Sequence, residues 1–252
     1  SGRRAPPMIA VLGAGGVGKT VYLGMLLDMM ARGVGGLRAT VEGAHSISLQ
    51  QRATTSLAAG CFPDPTPAGA EHWDWVHCRV ECRRRRRRLS VILADPAGGA
   101  WAEEADHPGA HPALASLLKR AAGVVVLADA QRLHAGDHGD DFVTLKLLSQ
   151  LGAARPRGRF VRRREPRPLA LVFSKADACQ ACLDQPEDFA QSHAAALLGG
   201  CTARLPNTRV FAASAVGASA IRSLNGHNRH VALRVEPQGV VEPLGWLLTQ
   251  LP

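Results

Sequence analysis

The stretch Gly13-Ala14-Gly15-Gly16-Val17-Gly18-Lys19-Thr20 matches the phosphate-loop pattern GxxxxGK[ST] at every fixed position. The apolar run Met8–Leu12 precedes it and predicts a buried strand, whereas residues 21–30, starting at Val21, predict a buried helix. Glycines let the backbone approach a ligand closely, and the N–H groups at a helix N-terminus favour negative charge. The stretch therefore predicts a site for the phosphate groups of a nucleotide.

Two side chains of this loop carry further chemistry. Lys19 is expected to reach the β- and γ-phosphates, and the hydroxyl group of Thr20 is expected to ligate Mg²⁺. A second motif supports this interpretation, because the apolar residues 89–94 run into Asp95-Pro96-Ala97-Gly98, a DxxG sequence. In phosphate-loop hydrolases such an aspartate holds Mg²⁺ and the glycine N–H can sense the γ-phosphate.

A third motif addresses the base. The apolar residues 169–173 predict a strand that ends in Ser174-Lys175-Ala176-Asp177, which is close to the guanine-reading pattern [NT]KxD. The Asp177 carboxylate can accept hydrogen bonds from N1–H and the 2-amino group of guanine, whereas adenine offers neither donor in that arrangement. The stem of Lys175 can lie along the base. Ser174 is shorter than Asn or Thr, so it is expected to pin the loop less well.

The remaining strands complete the predicted fold. Thr208–Ala212 predicts a strand that leads into Ser214 and Ala215, an SA element whose backbone N–H would meet the guanine oxygen. Residues 216–239 are predicted to be irregular, and residues 240–248 to form a closing helix. Continuous apolar strands that alternate with helical segments indicate a parallel sheet covered on both faces.

The predicted fold class is therefore α/β, with a doubly wound, mostly parallel sheet and one antiparallel edge hairpin. Residues 72–82 and 89–94 form that hairpin, and the arginine run between them lies at or near its turn. Residues 8–252 are expected to form a single domain with insertions near 31–70, 131–168 and 216–239. Residues 1–7 are expected to be a flexible leader or a remnant of expression.

These motifs, in this order and each at the end of a predicted strand, resemble those of the Ras-like (TRAFAC-class) P-loop GTPases. The sequences around residues 18–23, 62–66 and 240–248 are similar to those of the bacterial double-GTPase families. The resemblance implies GTP or GDP and Mg²⁺ as ligands, with Gly15 closest to the γ-phosphate. It implies nucleotide contacts from Gly13, Gly15, Gly16, Val17, Gly18, Lys19, Thr20, Val21, Ser174, Lys175, Asp177, Ser214 and Ala215.

The resemblance also implies catalytic roles for Lys19, Gly98 and Thr66, and a metal site made by Thr20, Thr66 and Asp95. Thr40, Thr54 and Thr55 compete with Thr66 for the role of the switch threonine.

The water-orienting glutamine of the Ras pattern is replaced by Gly99, and Glu103 and Glu104 follow nearby. Hydrolysis by the isolated chain is therefore expected to be slow, and a partner is expected to supply the missing group, as an arginine finger does elsewhere.

Two classes of function follow from the motifs. The first is a GTP-dependent switch with slow hydrolysis that regulates a partner protein, for which a second GTPase is one candidate. The resemblance implies a bacterial signalling or conflict system. The alternative is a module that hardly hydrolyses GTP and uses it to hold an assembly together. An ATP-using protein is opposed by Asp177.

The chain has 252 residues, of which 46% are hydrophobic, and a formal net charge of +9. The positive charge lies in two patches: Arg83 and the five arginines after it up to Arg88, and the segment 155–167, which begins at Arg155 and ends at Arg167. A solvated surface, an anionic protein or membrane surface and nucleic acid are all open as their roles. Few aromatic residues lie near either patch, which disfavours single-stranded nucleic acid.

No apolar run reaches membrane-spanning length and no secretory h-region is present, so a cytoplasmic location is expected. The six cysteines include Cys179 and Cys182, a C-x-x-C spacing that zinc sites and redox pairs share. A four-ligand site needs a second pair, and Cys78 and Cys82 fall on one face of a predicted strand. Buried or idle thiols are the favoured interpretation.

Overall fold

A computed structural model describes residues 6–63, 74–82, 87–96, 98–153, 167–224 and 227–251. Seven strands of this part of the chain form one sheet in the order β2-β3-β4-β1-β5-β6-β7, and β8 and β9 form a separate hairpin. The strands are β1 Met8–Leu12, β2 Leu37–Glu42, β3 Asp74–Cys82, β4 Arg87–Asp95, β5 Gly123–Asp129, β6 Leu169–Ser174, β7 Thr208–Ala212, β8 Gly217–Leu224 and β9 His227–Val235.

The helices of the described residues cover both faces of the sheet. They are α1 Lys19–Ala31, α2 Ala44–Ala58, α3 Gly98–Asp106, α4 Pro112–Arg120, α5 Ala130–His134, α6 Gly139–Ala153, α7 Gln180–Asp184, α8 Pro186–His193, α9 Ala195–Arg204 and α10 Glu242–Gln250. Short 3-10 helices occupy Val34–Gly36 and Ala176–Ala178. Within the described ranges, no helix has the length and apolar character needed to cross a membrane.

The predicted α/β sheet is confirmed. Strand β1 pairs in parallel with β4 and β5, and β5, β6 and β7 continue the parallel array. All seven residues of β5 are buried, because alternate side chains enter two hydrophobic clusters on opposite faces. Val125 and Leu127 pack with α1 and α10 residues, whereas Val124 and Val126 pack with Trp101 of α3.

The antiparallel part of the sheet is larger than the sequence indicated. Strand β3 runs antiparallel to both β4 and β2, so the edge strand is β2 and not the predicted hairpin. Strand β2 is half-buried, with Leu37 and Ala39 facing the core. Its six residues follow a glycine-rich turn, and for this reason the sequence pattern did not predict a strand here. Strand β4 begins at Arg87, so Arg87 and Arg88 belong to the strand. Residues 83–86 lie outside the described part.

A second correction concerns residues 216–239, which were predicted to be irregular. Within this segment Gly217–Leu224 and His227–Val235 pair as the antiparallel strands β8 and β9, with a register shift next to Ser219. Cys61 makes an isolated antiparallel bridge with Val231, and the Ala232 N–H donates to the Gly60 carbonyl at 3.0 Å. Strand β9 therefore contacts the start of the segment that follows α2.

Helix α1 packs closely on α2, and Gly24 makes this possible. A Cβ atom at position 24 would lie only 2.1 Å from the Cβ of Ala53. We expect Gly24→Ala to lower the free energy of unfolding by about 1–3 kcal/mol, the usual cost of overpacking, although alanine is the better helix former. Urea denaturation measures this difference.

The matched control is Gly199→Ala on α9, where an added Cβ meets no atom within 4 Å. That substitution is expected to raise the unfolding free energy by about 0.5–1 kcal/mol, because glycine is disfavoured in a helix. Equal shifts in the two variants would contradict the packing argument at Gly24.

Candidate nucleotide-binding site

The phosphate loop connects β1 to α1 at the carboxyl edge of the parallel sheet. Gly16 and Gly18 take φ values of 79° and 89°, a region that glycine occupies without strain. Helix α1 begins at Lys19 directly after Gly18, which has no side chain to cap the first turn. The N–H groups of that turn therefore face the loop, where they can bind an anion.

Lys19 lies inside this loop and is only 7% exposed. Its Nζ donates to the carbonyl oxygens of Gly13 at 2.8 Å and Ala14 at 3.0 Å, which leaves a third proton for a phosphate oxygen. Burial lowers the pKa of Lys19, while the negative charges of Asp95 and Asp140 act in the opposite direction. A bound phosphate would likewise favour the charged form of this amine.

The DxxG residues lie against the same loop. Asp95 ends β4, is 3% exposed and shares a cavity wall with Thr20. A carboxylate and a hydroxyl group are oxygen ligands, and Mg²⁺ is usually held by one or two such protein groups together with substrate phosphates. The residues therefore fit a magnesium ion bound with a nucleotide.

Gly98 opens α3 and touches the phosphate loop. A Cβ at this position would lie 2.6 Å from the Cα and 2.7 Å from the N of Gly15. Because both are backbone atoms, no side chain fits here without moving the loop. The DxxG motif thus contacts the phosphate loop at the point where that loop would hold the terminal phosphate.

Ser174 joins the base-binding strand to the phosphate loop. Its Oγ lies 2.7 Å from the Val17 carbonyl oxygen and 3.1 Å from that of Ala128, both in donor geometry. A hydroxyl group has one proton, so the two carbonyls share it. The short serine side chain does reach the loop, and Ser174 is buried.

Lys175 and Asp177 follow Ser174 in a strained turn. Lys175 has a φ of 54°, which is uncommon for a residue with a side chain. Its Nζ lies 2.5 Å from Oδ2 of Asp129, the last residue of β5. Ser214 donates to Oδ1 of Asp177 at 2.7 Å and accepts from the Gly217 N–H at 2.8 Å. The SA serine therefore orients the carboxylate that would read the base.

One cavity of about 800 Å³ connects these groups. Gly13 and Ser214 do not line the cavity, but they are hydrogen-bonded to Lys19 and Asp177, which do. Thr66 lies outside the described residues, and the competing Thr40, Thr54 and Thr55 lie on β2 and α2 and not in the cavity wall. The predicted residues that line the cavity are Gly15, Gly16, Val17, Gly18, Lys19, Thr20, Val21, Asp95, Gly98, Ser174, Lys175, Asp177 and Ala215.

Comparison with protein-family models matches residues 7–233 to the family described as Double-GTPase 2. The chain belongs to this Double-GTPase 2 family. Membership supports guanine-nucleotide binding by this double-GTPase. No curated protein matches the chain. The crystal structure of the bacterial selenocysteine-specific elongation factor EF-Sec is similar, with a TM-score of 0.44 and 14% identity. The match covers 98% of this chain and 29% of that chain.

Several residues that line the cavity were not predicted to contact the nucleotide. Phe62 and Pro63 come from the segment after α2, Ala218 and Ser219 come from β8, and Asp129, Gln131 and Arg132 come from the end of β5 and from α5. Asp129 could have been found, because it is a polar residue at the carboxyl end of a fully apolar strand. The contributions from β8 and α5 depend on tertiary structure.

Glu103 and Glu104 do not line the cavity of the double-GTPase. Glu104 is fully buried, and its carboxylate accepts from the N–H groups of Gly109 at 2.9 Å and His111 at 2.8 Å. Glu103 pairs with the His111 ring at 2.9 Å. Both carboxylates therefore stabilise the end of α3, and Gly99 remains the residue next to the terminal phosphate site.

The cysteines of the double-GTPase are all free thiols. Cys179 is the N-cap residue of α7, Cys182 lies on that helix, and both are buried. Burial raises the pKa of Cys182 to about 12, so its thiol stays protonated and is a poor metal ligand. The described ranges contain no group of three or more His, Cys, Asp or Glu side chains placed to hold a metal.

Proposed function

We propose that this chain is a GTP-dependent switch that hydrolyses GTP slowly and regulates a partner protein. The observation that supports it is that one cavity contains a phosphate-binding lysine, a buried carboxylate suited to Mg²⁺ and an oriented carboxylate suited to guanine: Lys19, Asp95 and Asp177. A second GTPase is our candidate partner, in a bacterial signalling or conflict system, and we propose a cytoplasmic location.

The residues of the cavity divide the chemistry among them. Lys19 and the N–H groups of the first turn of α1 stabilise negative charge on the phosphates. Asp95 and Thr20 would hold a magnesium ion, which neutralises charge on the phosphate oxygens when bound. Ser214 holds Asp177 in the orientation that accepts from guanine. We assign the remaining metal contact to Thr66.

Slow hydrolysis follows from the neighbourhood of Gly98. Hydrolysis needs an attacking water held in line with the γ-phosphate, and Gly99 has no side chain for this task. Glu103 and Glu104 are engaged elsewhere, as described above. We therefore expect a single-turnover rate on the order of 10⁻⁴ per second, the intrinsic range of Ras.

A single-turnover assay with GTP and Mg²⁺ tests this rate, with Thr20→Ala as the control that should remove the Mg²⁺ dependence. Turnover faster than about one per minute would contradict the proposal, because the chain would then hold its own water-positioning group. Slow turnover that a partner accelerates supports the switch. No turnover with any partner would instead favour the GTP-dependent assembly module.

The arginine patches are proposed to contact an anionic surface of the partner or of a membrane, with nucleic acid disfavoured. The described members are Arg87, Arg88 and Arg167. Arg88 is exposed and pairs with Glu81 at 2.7 Å, whereas Arg167 donates to the carbonyl oxygens of Leu118 and Lys119. Arg167 thus stabilises the end of α4, and the remaining arginines carry this proposal.

A further inference from the structure

Arg132 is an arginine in the wall of the nucleotide cavity that belongs to none of the sequence motifs. It lies on α5, directly after β5. The Oδ1 atom of Asp129 caps this helix by accepting from the backbone N–H groups of Gln131 at 3.0 Å and Arg132 at 3.2 Å. Asp129 therefore fixes the backbone at Arg132 with one carboxylate oxygen and pairs with Lys175 through the other.

The guanidinium group of Arg132 is held by two carboxylates. Nε and Nη2 lie 2.7 and 2.6 Å from Oδ2 of Asp137, and Nη1 lies 2.6 Å from Oδ2 of Asp140. A guanidinium group has five N–H protons, and these contacts use three of them. One proton on each terminal nitrogen is left for another acceptor, and the side chain is 42% exposed.

The two carboxylates do not line the nucleotide cavity. A second, small cavity of about 10 Å³ is lined by Asp137, Asp140 and Arg132, and of these three only Arg132 also lines the large cavity. Arg132 therefore contacts both an acidic cluster and the nucleotide cavity. The ion pairs with Asp137 and Asp140 fix the orientation of the planar guanidinium group.

Arg132 lies close to Lys175 and shares the wall of the large cavity with Lys19. Asp140, its ion-pair partner, is close enough to Lys19 to act on the charge of that amine. Asp129, the cap of its helix, pairs with Lys175. The phosphates of a nucleotide must run between the loop that contains Lys19 and the base site that contains Lys175. An arginine in the wall of the same cavity can present its remaining N–H groups to phosphate oxygens.

We propose that Arg132 donates hydrogen bonds to the phosphate groups of the bound nucleotide, and that Asp137 and Asp140 position it for this contact. This inference rests on the proposed function, since it assigns a further residue to the same site. A planar fork that is already oriented loses little entropy when it binds phosphate, and its positive charge adds to that of Lys19. The arginine that contacts the phosphates would thus belong to this chain and not to a partner.

The test compares dissociation constants for GTP, GDP and GMP among wild type, Arg132→Ala, Arg132→Lys and Arg32→Ala. Arg32 is the matched control, because its guanidinium group pairs with Asp28 on the exposed face of α1 at 2.5 Å. We expect Arg132→Ala to weaken GTP binding about tenfold or more, the loss of a charged hydrogen bond, and GMP binding by less than about twofold. Arg132→Lys keeps the charge without the fork and should lie between.

A purely structural role for Arg132 would weaken binding of all three nucleotides equally, and that result would overturn the inference. Unchanged affinity in both Arg132 variants would overturn it as well. Urea denaturation shows whether each variant folds. If Arg132→Ala does not fold, Arg132→Lys provides the test. Failure of the proposed function is a separate result, namely a wild-type chain that binds GTP no better than ATP.

Discussion

Replacement of Lys19 by alanine is expected to lower the affinity for GTP about 100-fold or more. The ammonium group is the one charged donor inside the phosphate loop. Its third proton can make one charge-assisted hydrogen bond to a phosphate oxygen, which contributes up to about 3 kcal/mol, and its positive charge attracts the other phosphate oxygens as well. The two bonds from Nζ to Gly13 and Ala14 show that the loop already aims this group at the cavity. Isothermal titration with GTP in Mg²⁺ measures the loss.

The control for this prediction is Lys146→Ala. Lys146 lies on α6, outside the cavity wall, and pairs with Asp106 on the surface at 2.6 Å. Its replacement removes one positive charge, so the net charge of the chain changes equally in both variants. A Lys19 variant that binds GTP as tightly as the Lys146 variant would show that the loop is not the phosphate site. Circular dichroism checks that both chains remain folded.

Asp177→Asn is expected to weaken GTP binding by roughly 1.5–3 kcal/mol, the range for a hydrogen bond to a charged group. The carboxylate would accept from two donors of guanine, whereas an amide would place an N–H₂ group against one of them. Xanthine has an oxygen where guanine has the 2-amino group, so the same variant should prefer xanthosine triphosphate. A competition assay with a fluorescent nucleotide measures GTP, xanthosine triphosphate and ATP side by side.

Asp184→Asn is the matched control, because Asp184 is an exposed carboxylate on α7 that accepts from Gln180 at 2.9 Å. It should leave all three affinities unchanged. Equal affinity of the wild type for GTP and ATP would overturn the guanine assignment. Retained guanine preference in Asp177→Asn would place base recognition elsewhere in the cavity.

The central part of the fold could be predicted because its signals are local and strong. β1, β5 and β6 are continuous apolar runs, and β1 and β6 each lead into a polar motif. By contrast β2 is six residues long and its core-facing residues are Leu37, Ala39 and the half-buried Val41, so its pattern does not stand out from its glycine-rich surroundings. The β8–β9 hairpin has a register shift that breaks the regular alternation. Its partner, Cys61, lies far away in sequence.

The site was predictable only where a motif fixes a residue to a task. Lys19, Asp95 and Asp177 share one cavity because parallel strands deliver their ends to one edge of the sheet. The side-chain role of Ser214, which orients Asp177, could not be inferred, since it requires the distance between two loops. The same holds for Arg132, whose neighbours come from the turn between α5 and α6 and from α6 itself.

The bridge between Cys61 and Val231 has a consequence for how the molecule is made. Its two ends are roughly 170 residues apart in the chain, and closing so long a loop costs conformational entropy before any contact is gained. Contacts of this separation are slow to form, and on a ribosome the second partner does not exist until most of the chain has been synthesised. The wall that Ala218 and Ser219 add to the cavity is therefore completed last. Until then the nascent chain holds a phosphate loop without a finished base pocket.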